Sequence, residues 1–398
     1  MRALYPYACA SMLTLLSLSA QAQRLSGKVV DAETGLPVPY ASVSVLHSRV
    51  GTTSNAEGEF ELRQAVLPGK LVVSELSHRT DTVAVASASA VLQVRLKPTA
   101  VVLPEVKMGS YTAELIKKAY RQLERTNAQQ AYSAAFYRQV TRLDNEPTEI
   151  QEMIWHAKSG NTGLAGTAMA QGRYAKKKTV LNFKNFSLYT KKNQISLFKS
   201  DTALLKTLLG PNPTELNTLR LLGVTQDGTH QLVEIGFAKK AAPNTEYGSL
   251  LIDETTLQVL RYRTVTQALN VRINNPAFKL TNQATTLEWV FRPTPTGGAA
   301  LLDHIKVDYQ ATLHRPLRSD MKVQASSFTL LYDGQTKAPA DVTYAAAQSG
   351  ESDLQVIEAM AYNAAFWQNN SAVKRTPLEE AIIKAFEQKG AFGTMLTP

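Results

Sequence analysis

Histidine is the side chain of this 398-residue sequence best suited to metal binding and to proton transfer near neutral pH. The sequence contains six of them, which are His47, His78, His156, His230, His304 and His314. None takes part in a His-Glu-x-x-His motif, which would place two zinc ligands and a general base on one helix face. The spacing of the histidines therefore predicts no metal site.

A nucleophilic serine is also unsupported, because the sequence has no Gly-x-Ser-x-Gly elbow. Ser371 and Lys374 fit a Ser-x-x-Lys pattern, and residues 159–161 mimic the second box of penicillin-binding enzymes. The two boxes stand in reverse order, however, and no Lys-Thr-Gly follows. We predict no catalytic or cofactor-binding residue and no enzyme activity, with an unrecognised hydrolase as the remaining alternative.

Three glutamates, Glu146, Glu149 and Glu152, lie close together in the sequence. Strand alternation would place Glu149 and Glu152 on opposite faces, which argues against a paired-carboxylate glycosidase site. We interpret the three as side chains of a solvated edge strand.

The N-terminal segment predicts an export signal over residues 1–22. Arg2 is followed by an apolar run at residues 8–18 and by the small-x-small site Ala20-Gln21-Ala22. The sole cysteine, Cys9, would leave with this segment, so disulfides and cysteine-ligated metals are not expected. The predicted location is exported, in the periplasm or at the periphery of the outer membrane.

The formal net charge is +10 at pH 7, and its densest cluster is Lys176-Lys177-Lys178. A solvated loop is one interpretation of this cluster. Peripheral contact with a membrane or another anionic partner is the other. Nucleic acid is not expected as a partner of an exported protein.

Residues 24–98 predict a small antiparallel β-sandwich. Apolar residues alternate at 41–45 and 58–62, and Gly, Pro and Asn interrupt the pattern at short intervals. Two segments carry the strongest signals: Gly27-Lys28-Val29-Val30-Asp31 with Gly35-Leu36-Pro37, and Thr53-Ser54-Asn55-Ala56-Glu57-Gly58-Glu59-Phe60.

These two segments resemble the carboxypeptidase-regulatory-like domain found at the front of many exported and outer-membrane proteins. The resemblance implies a seven-stranded, transthyretin-like sandwich that serves as an accessory module rather than a catalyst. An aromatic Gly-Tyr is expected after the fifth strand, but this sequence has Ser77-His78-Arg79 there.

The zinc carboxypeptidases that give the module its name share a His-x-x-Glu pair and a distant histidine. The residues three positions after the six histidines are Val50, Asp81, Ser159, Val233, Val307 and Leu317, so the pair is absent. The resemblance therefore implies no peptidase activity.

Residues 99–110 are predicted to be a linker, and residues 111–350 a second, mainly β domain. Apolar spacing predicts a helix over residues 111–126, and alternation then dominates. We expect a curved antiparallel sheet, or half-barrel, with helices on its concave face: this helix and a second at residues 202–209. The Gly- and Ala-rich residues 159–174 are predicted to be a loop.

The segment Tyr247-Gly248-Ser249-Leu250-Leu251-Ile252-Asp253 resembles a hairpin of the lipoprotein-carrier half-barrels. Residues 351–398 are predicted to form a helical tail. In it Thr376 and Glu379 form a capping box, with Pro377 in the first turn.

Aromatic residues of the second domain are either ordinary core or the lining of a cavity for a lipid or other apolar ligand. The candidates for that lining are Trp155, Phe237, Trp289, Phe291 and Tyr309. The favoured function is a non-enzymatic envelope protein that binds or carries an apolar ligand in the half-barrel. The alternative is a structural or adhesive module whose sandwich binds glycan or another envelope protein.

Overall fold

The structure is a computed structural model. It describes residues 23–48, 50–88, 90–99, 101–102, 110–181, 183, 185–192, 195, 208–227, 229–267, 275–295, 297–335, 337–346, 352–369, 373–388 and 395–396. The predicted export signal at 1–22, with Cys9, lies outside the described residues, and so does most of the second predicted helix at 202–209.

The N-terminal unit is a sandwich of seven strands, as the resemblance implied. The strands are β1 (Gln23–Asp31), β2 (Ser42–Val45), β3 (Gly51–Thr53), β4 (Glu59–Ala65), β5 (Gly69–Glu75), β6 (His78–Val85) and β7 (Leu92–Leu96). One sheet has the order β4-β1-β7 and the other β3-β2-β5-β6.

Polar turns set the register of this sandwich. Asn55 Oδ1 accepts hydrogen bonds from the backbone N–H groups of Glu57 and Glu59, which closes the turn before β4. Gly58 takes a φ of +75° there, and a Cβ at this position would lie 2.4 Å from the carbonyl oxygen of Val29. The turn directs Phe60 into the fully buried core of the sandwich.

A large antiparallel sheet follows. Its strands are β8 (Val101–Val102), β9 (Ala131–Leu143), β10 (Glu146–Gly160), β11 (Gly163–Lys177), β12 (Asn217–Asp227), β13 (His230–Lys239), β14 (Glu246–Asp253), β15 (Val259–Thr266), β16 (Lys279–Arg292), β17 (Leu301–Arg315), β18 (Arg318–Gln335) and β19 (Met395–Leu396). The spatial order is β19-β11-β10-β9-β18-β17-β16-β15-β14-β13-β12-β8. Ten long strands thus form an open antiparallel sheet edged by two short ones, which confirms the predicted mainly β class.

One face of this sheet, called the helix face, is defined by Tyr137, Met153 and Trp289. Helix α1 (Ser110–Thr126) buries Leu115, Ile116, Ala119 and Leu123 in the same apolar cluster as these side chains. The helices α2 (Leu188–Lys192) and α3 (Asp353–Glu358) follow in the chain, and Leu354 and Ile357 of α3 join the cluster. The periodicity of residues 111–126 therefore predicted the helix and its buried stripe correctly.

The opposite face, called the sandwich face, carries Arg138, Glu152 and Phe328. Helices α4 (Ala364–Asn369) and α5 (Pro377–Gln388) pack there. The predicted capping box is present: Thr376 N–H donates to Glu379 Oε2 at 2.9 Å, and Glu379 N–H donates to Thr376 Oγ1 at 3.1 Å. Among the described helices, none is long and apolar enough to cross a membrane.

Two predictions about single segments are wrong. Residues 163–177 form the strand β11 rather than a loop, because pairing with β10 along its length outweighs the low strand propensity of Gly and Ala. Glu149 and Glu152 are buried rather than solvated, since the chain at Phe183 lies over Glu149 and the tail helices lie over the network of Glu152. The predicted linker also contains β8, which pairs with β12.

A buried ionic network joins the tail to the sandwich face. Glu152 is 1% exposed and accepts hydrogen bonds from Arg138 Nε at 2.8 Å and from Arg173 Nε at 2.7 Å. Arg138 Nη1 reaches Glu379 of α5 at 3.0 Å. The Arg173 guanidinium lies over the ring of Trp367, 4.7 Å from its centroid. Although burial would raise the pKa of Glu152, the two arginines lower it to about 2.

Replacing Glu152 with Gln should destabilise the protein strongly, because it leaves two buried guanidinium groups without their shared carboxylate. We expect a loss of about 3–5 kcal/mol in the free energy of unfolding, measured by urea titration. The matched control is Glu114→Gln on the exposed face of α1, where the partner Lys117 is also solvated and little change is expected. Equal effects of the two substitutions would contradict the role of the network.

Candidate functional site

One aromatic side chain of the sandwich, Tyr40, packs on the middle of the sheet. The ring of Tyr40 stacks on Phe328 of β18, with centroids 4.8 Å apart. Lys306 Nζ lies 4.0 Å from the centroid of the same ring. Burial raises the pKa of the Tyr40 phenol well above its ordinary value. Tyr40 is therefore the main contact between the sandwich and the middle of the sheet.

Beside Tyr40 the two units leave a cleft of about 550 Å³, which we call the interdomain cleft. This volume lies in the range of sites that hold small molecules. The sandwich contributes residues at the β1–β2 connection and the β5–β6 turn, and the sheet contributes the β13, β15, β16 and β17 strands or their ends. The charged and imidazole groups of its wall are Asp31, Glu75, His78, His230, Asp253, Arg261, Glu288, Arg292, Asp303, His304 and Lys306.

On the sandwich side, His78 lies between two carboxylates. Its Nδ1 is 2.6 Å from Glu75 Oε2, and its Nε2 is 3.0 Å from Asp31 Oδ2. A neutral imidazole can donate only one hydrogen bond, so this arrangement favours the doubly protonated ring. The contact with Glu75, followed by that with Asp31, accordingly raises the pKa of His78. The N–H of Thr34 and the His78 ring lower the pKa of Asp31 to about 2.

On the sheet side, two further imidazoles each contact an aspartate. His230 Nδ1 lies 2.7 Å from Asp253 Oδ2, and His304 Nδ1 lies 2.8 Å from Asp303 Oδ2. His230 is the most accessible of the three rings, with 44% of its side chain exposed. Burial would raise the pKa of Asp303, but His304 and Arg292 hold it lower.

These aspartate and glutamate partners orient the imidazole rings, but the rings contact no nucleophile among the described residues. Among the described residues, no hydroxyl is hydrogen bonded to any of the three rings, and no set of three His, Cys, Asp or Glu side chains is grouped as metal ligands. A general base needs such a hydroxyl, or a bound substrate, within hydrogen-bond reach. The cleft therefore presents oriented imidazole and carboxylate groups to its interior.

A hydroxyl, an imidazole and a carboxylate do meet elsewhere. Thr281 Oγ1 lies 2.6 Å from His314 Nε2, and His314 Nδ1 lies 2.8 Å from Asp320 Oδ1. The side chains of His314 and Asp320 are half-exposed and stand at the far end of β17 and β18, away from the cleft. Such a surface does not exclude water from a reaction, so this triad offers a weak basis for catalysis.

The five predicted cavity-lining residues are divided between the cleft and the core. Phe291 borders the interdomain cleft, but its side chain is 1% exposed and belongs to the same buried cluster as Trp155, Trp289 and Tyr309. The other four lie on the helix face in ring contacts: Tyr262 stacks with both Phe237 and Trp289, Trp155 contacts Tyr137, and Tyr309 meets Phe183 edge-on. The buried Nε1–H groups of Trp155 and Trp289 have no hydrogen-bond partner within the described part of the chain.

The predicted lysine cluster lies at the end of β11. Lys177 pairs with Glu146, and Lys176 Nζ lies 5.5 Å from the centroid of the Tyr174 ring. Lys178 is exposed. The cluster is therefore partly engaged within the protein and partly open to solvent.

Sequence reasoning did not identify the cleft. His78 and its partner Asp31 are separated by 47 positions, and the two sheet histidines occur in other strands. One signal was present: Ser77-His78-Arg79 stands where the resemblance called for an aromatic Gly-Tyr, and this departure is the point at which the sandwich faces the cleft.

Glu149 on the helix face gives a test of the buried interior. Burial raises its pKa to about 7, against hydrogen bonds from Thr141 and from the N–H of Phe183. The unfolded chain ionises this group near 4.5, so the folded state loses stability as the pH rises from 4.5 to about 7. Glu149→Gln should remove up to ~3 kcal/mol of that pH dependence in urea unfolding. An unchanged pH profile would show that Glu149 ionises freely in the folded protein.

His78 gives a test of the cleft with the opposite pH dependence. Its folded pKa is raised, so its stabilising contribution is complete below the ordinary value of 6.5 and is lost as the pH rises through the folded value. The stability difference between the wild type and His78→Gln should therefore be largest in mildly acidic solution and shrink at alkaline pH. His47→Asn, at an exposed position that does not line the cleft, is the matched control and should change stability little.

Comparison with known protein families finds a match for one part of the chain. Residues 25–108 match the family described as CarboxypepD_reg-like domain, in agreement with the resemblance seen in the sequence. No enzyme family is evident from this match, and no curated protein matches the chain.

Two solved structures show distant similarity. A DUF1329 family protein from Desulfovibrio piger ATCC 29098 has 10% identity and a TM-score of 0.24, covering 58% of this chain and 94% of its own. A protein of unknown function from Bacteroides fragilis NCTC 9343, considered membrane-associated, has 13% identity and a TM-score of 0.15, covering 78% and 97%. The family relationship of this chain is therefore that of its residues 25–108, which match the CarboxypepD_reg-like domain family.

Proposed function

We propose that the protein is an exported, non-enzymatic binding protein of the cell envelope that holds an amphipathic ligand in the interdomain cleft. The observation that carries this proposal is the mixed lining of the cleft, in which exposed apolar residues of the sandwich stand opposite paired charges of the sheet. Export rests on the leader-like residues 1–22 of the sequence and on the accessory module found in exported proteins.

The apolar part of the wall comes from both units. The sheet residues at the wall, Leu232, Leu260, Val290 and Phe291, are themselves buried, and Leu76 of the sandwich is half-buried. The exposed apolar surface comes from Leu36, Pro37 and Pro39 of the sandwich and from Pro293 of the sheet. Leu36 is 64% exposed although its neighbours Pro37 and Val38 approach the fold. An apolar ligand body would cover this surface and remove it from water.

The polar part of the wall favours an uncharged head group. Each cation of the wall already pairs with a carboxylate: Arg261 Nη2 with Glu234 at 2.7 Å, Arg292 Nε with Asp303 at 3.0 Å, and Lys306 Nζ with Glu288 at 2.9 Å. A charged ligand would have to displace one of these partners. Hydroxyl or amide groups can instead hydrogen-bond to the pairs as they stand.

This proposal relocates the site predicted from the sequence. The half-barrel was expected to enclose the ligand, but four of the five proposed lining residues pack against other rings on the helix face. Phe291 belongs both to the half-barrel site predicted from the sequence and to the border of the cleft. The ligand class remains close to the sequence prediction, because the sandwich exposes apolar side chains to the cleft.

The proposal is tested with the neutral fluorescent probe N-phenyl-1-naphthylamine and the variant Leu36→Asp. A carboxylate on the apolar wall should weaken probe binding by at least about tenfold, which is ~1.4 kcal/mol. Because Leu36 is exposed, the variant should keep the wild-type unfolding midpoint.

The matched control is Val91→Asp, an exposed apolar position of the sandwich that does not line the cleft. It should bind the probe as the wild type does. Native mass spectrometry of the purified protein provides a second readout, in which a co-purifying molecule should be lost from Leu36→Asp alone. Probe binding that is unaffected by Leu36→Asp would overturn the cleft as the site.

A further inference from the structure

The tip of the β17–β18 hairpin carries an unusual leucine. Leu317 is 105% exposed and adopts a φ of +58°, a left-handed conformation that favours glycine or asparagine. Such a conformation disfavours an L side chain, and this one gains no burial in return. Folding alone therefore gives no reason for leucine at this turn.

The same end of the sheet is rich in basic side chains. Cross-strand register places the ends of β9 to β18 side by side there: Glu149 lies opposite Lys176, Leu143 opposite Val323, and Lys279 opposite His314. The basic residues at this end are Lys176, Lys177, Lys178, Lys239, Lys240, Lys279, Arg315, Arg318 and Lys322. The acidic ones are Asp144, Glu146, Glu215, Glu246 and Asp320.

Several of the cations remain open to solvent after local pairing. Lys177 pairs with Glu146 and Lys239 with Glu246, while Arg315 donates to the Ser319 carbonyl and braces the turn. Lys178, Lys240, Lys279, Arg318 and Lys322 are exposed. Leu317 thus projects from the hairpin tip beside Lys279, Arg318 and Lys322, and we call this end of the sheet the basic end. By register Lys176 lies at the level of Tyr309, roughly 20 Å along the strand from Arg315.

The basic end lies opposite the interdomain cleft. His304, which lines the cleft, and Arg315, at the hairpin tip, stand eleven positions apart on β17. At the rise of an antiparallel strand this separation is roughly 36 Å. Contact at the basic end would therefore leave the cleft unobstructed.

We propose that the basic end binds an anionic lipid surface, with Leu317 inserted at the headgroup boundary and the surrounding lysines and arginines on the headgroups. The charge is complementary to an anionic leaflet, and an apolar side chain projecting from a polar, cationic surface is the pattern of interfacial membrane binding. The proposal extends the sequence expectation for Lys176-Lys177-Lys178 to a surface built from several strands. It does not depend on the ligand proposed for the cleft.

The test is co-sedimentation of the protein with phosphatidylcholine vesicles that contain or lack phosphatidylglycerol. We expect binding only to the phosphatidylglycerol vesicles, and loss of most of it at about 0.5 M salt, where charges are screened beyond a few ångström. Absence of binding at low salt would overturn the proposal.

Two variants separate the hairpin from general charge effects. Arg318→Glu/Lys322→Glu should weaken vesicle binding by at least about tenfold. Arg95→Glu/Lys337→Glu makes the same change in net charge at exposed positions of the sandwich and of the opposite end, and it should bind nearly as well as the wild type. Equal losses of vesicle binding in the two variants would show that only the net charge of the protein matters, and would contradict binding by a specific surface.

Leu317→Gly tests the apolar contact apart from stability. Glycine suits the left-handed turn, so the variant should unfold at the same or a higher urea concentration than the wild type. Its vesicle binding should nevertheless fall a few-fold. Full vesicle binding by Leu317→Gly would show that the leucine does not insert into the lipid surface. It would contradict the proposal, because the remaining charges are those of an ordinary basic surface.

Discussion

A row of alternating charges crosses the sandwich face of the large sheet, and the rest of the molecule is arranged on it. Cross-strand register aligns Arg263, Glu288, Lys306, Phe328, Arg138, Glu152 and Arg173 on successive strands from β15 to β11. Neighbours of opposite sign on adjacent strands stabilise the pairing. Covering such a row requires partners that satisfy each charge, because a buried and unpaired charge is strongly destabilising.

The sandwich and the tail cover different parts of this row. Tyr40 covers Phe328 and Lys306, while Glu379 and Trp367 complete the surroundings of Arg138 and Arg173. The segment at residues 373–375 contacts both units. Val373 accepts a hydrogen bond from Arg138 and forms a bridge with Thr53, and Lys374 Nζ lies 3.0 Å from Glu59. The tail therefore fixes the sandwich as well as the sheet.

The interdomain cleft is a consequence of this arrangement. Beside the Tyr40 contact, the β13, β15 and β16 strands face the β1–β2 and β5–β6 connections across a gap. The pairs Arg261–Glu234 and Lys306–Glu288 continue the pattern of paired charges into the cleft. The result is a wall in which Arg261, Arg292 and Lys306 each pair with a carboxylate, while the buried Arg261 Nε has no hydrogen-bond partner among the described residues.

Local signals in the sequence predicted much of the fold. The turn residues around Asn55 and Gly58, the apolar stripe of α1 and the capping box at Thr376 act over a few positions, so their effect can be derived without knowing the tertiary structure. The Gly- and Ala-rich strand β11 was missed for the converse reason. Its conformation depends on pairing with β10, and its own residues favour no strand.

Sequence by itself determined the mainly β class, the sandwich with its accessory-module pattern, and the helices that bury one face or carry a cap. Strand alternation already placed Glu149 and Glu152 on opposite faces, but only the tertiary structure decided that both are buried. It alone brought His78, His230 and His304 to one cleft, and set Leu317 among cations from several strands. Periodicity and capping are properties of neighbouring residues, whereas a site between two units depends on contacts between residues far apart in the chain, which no local pattern encodes.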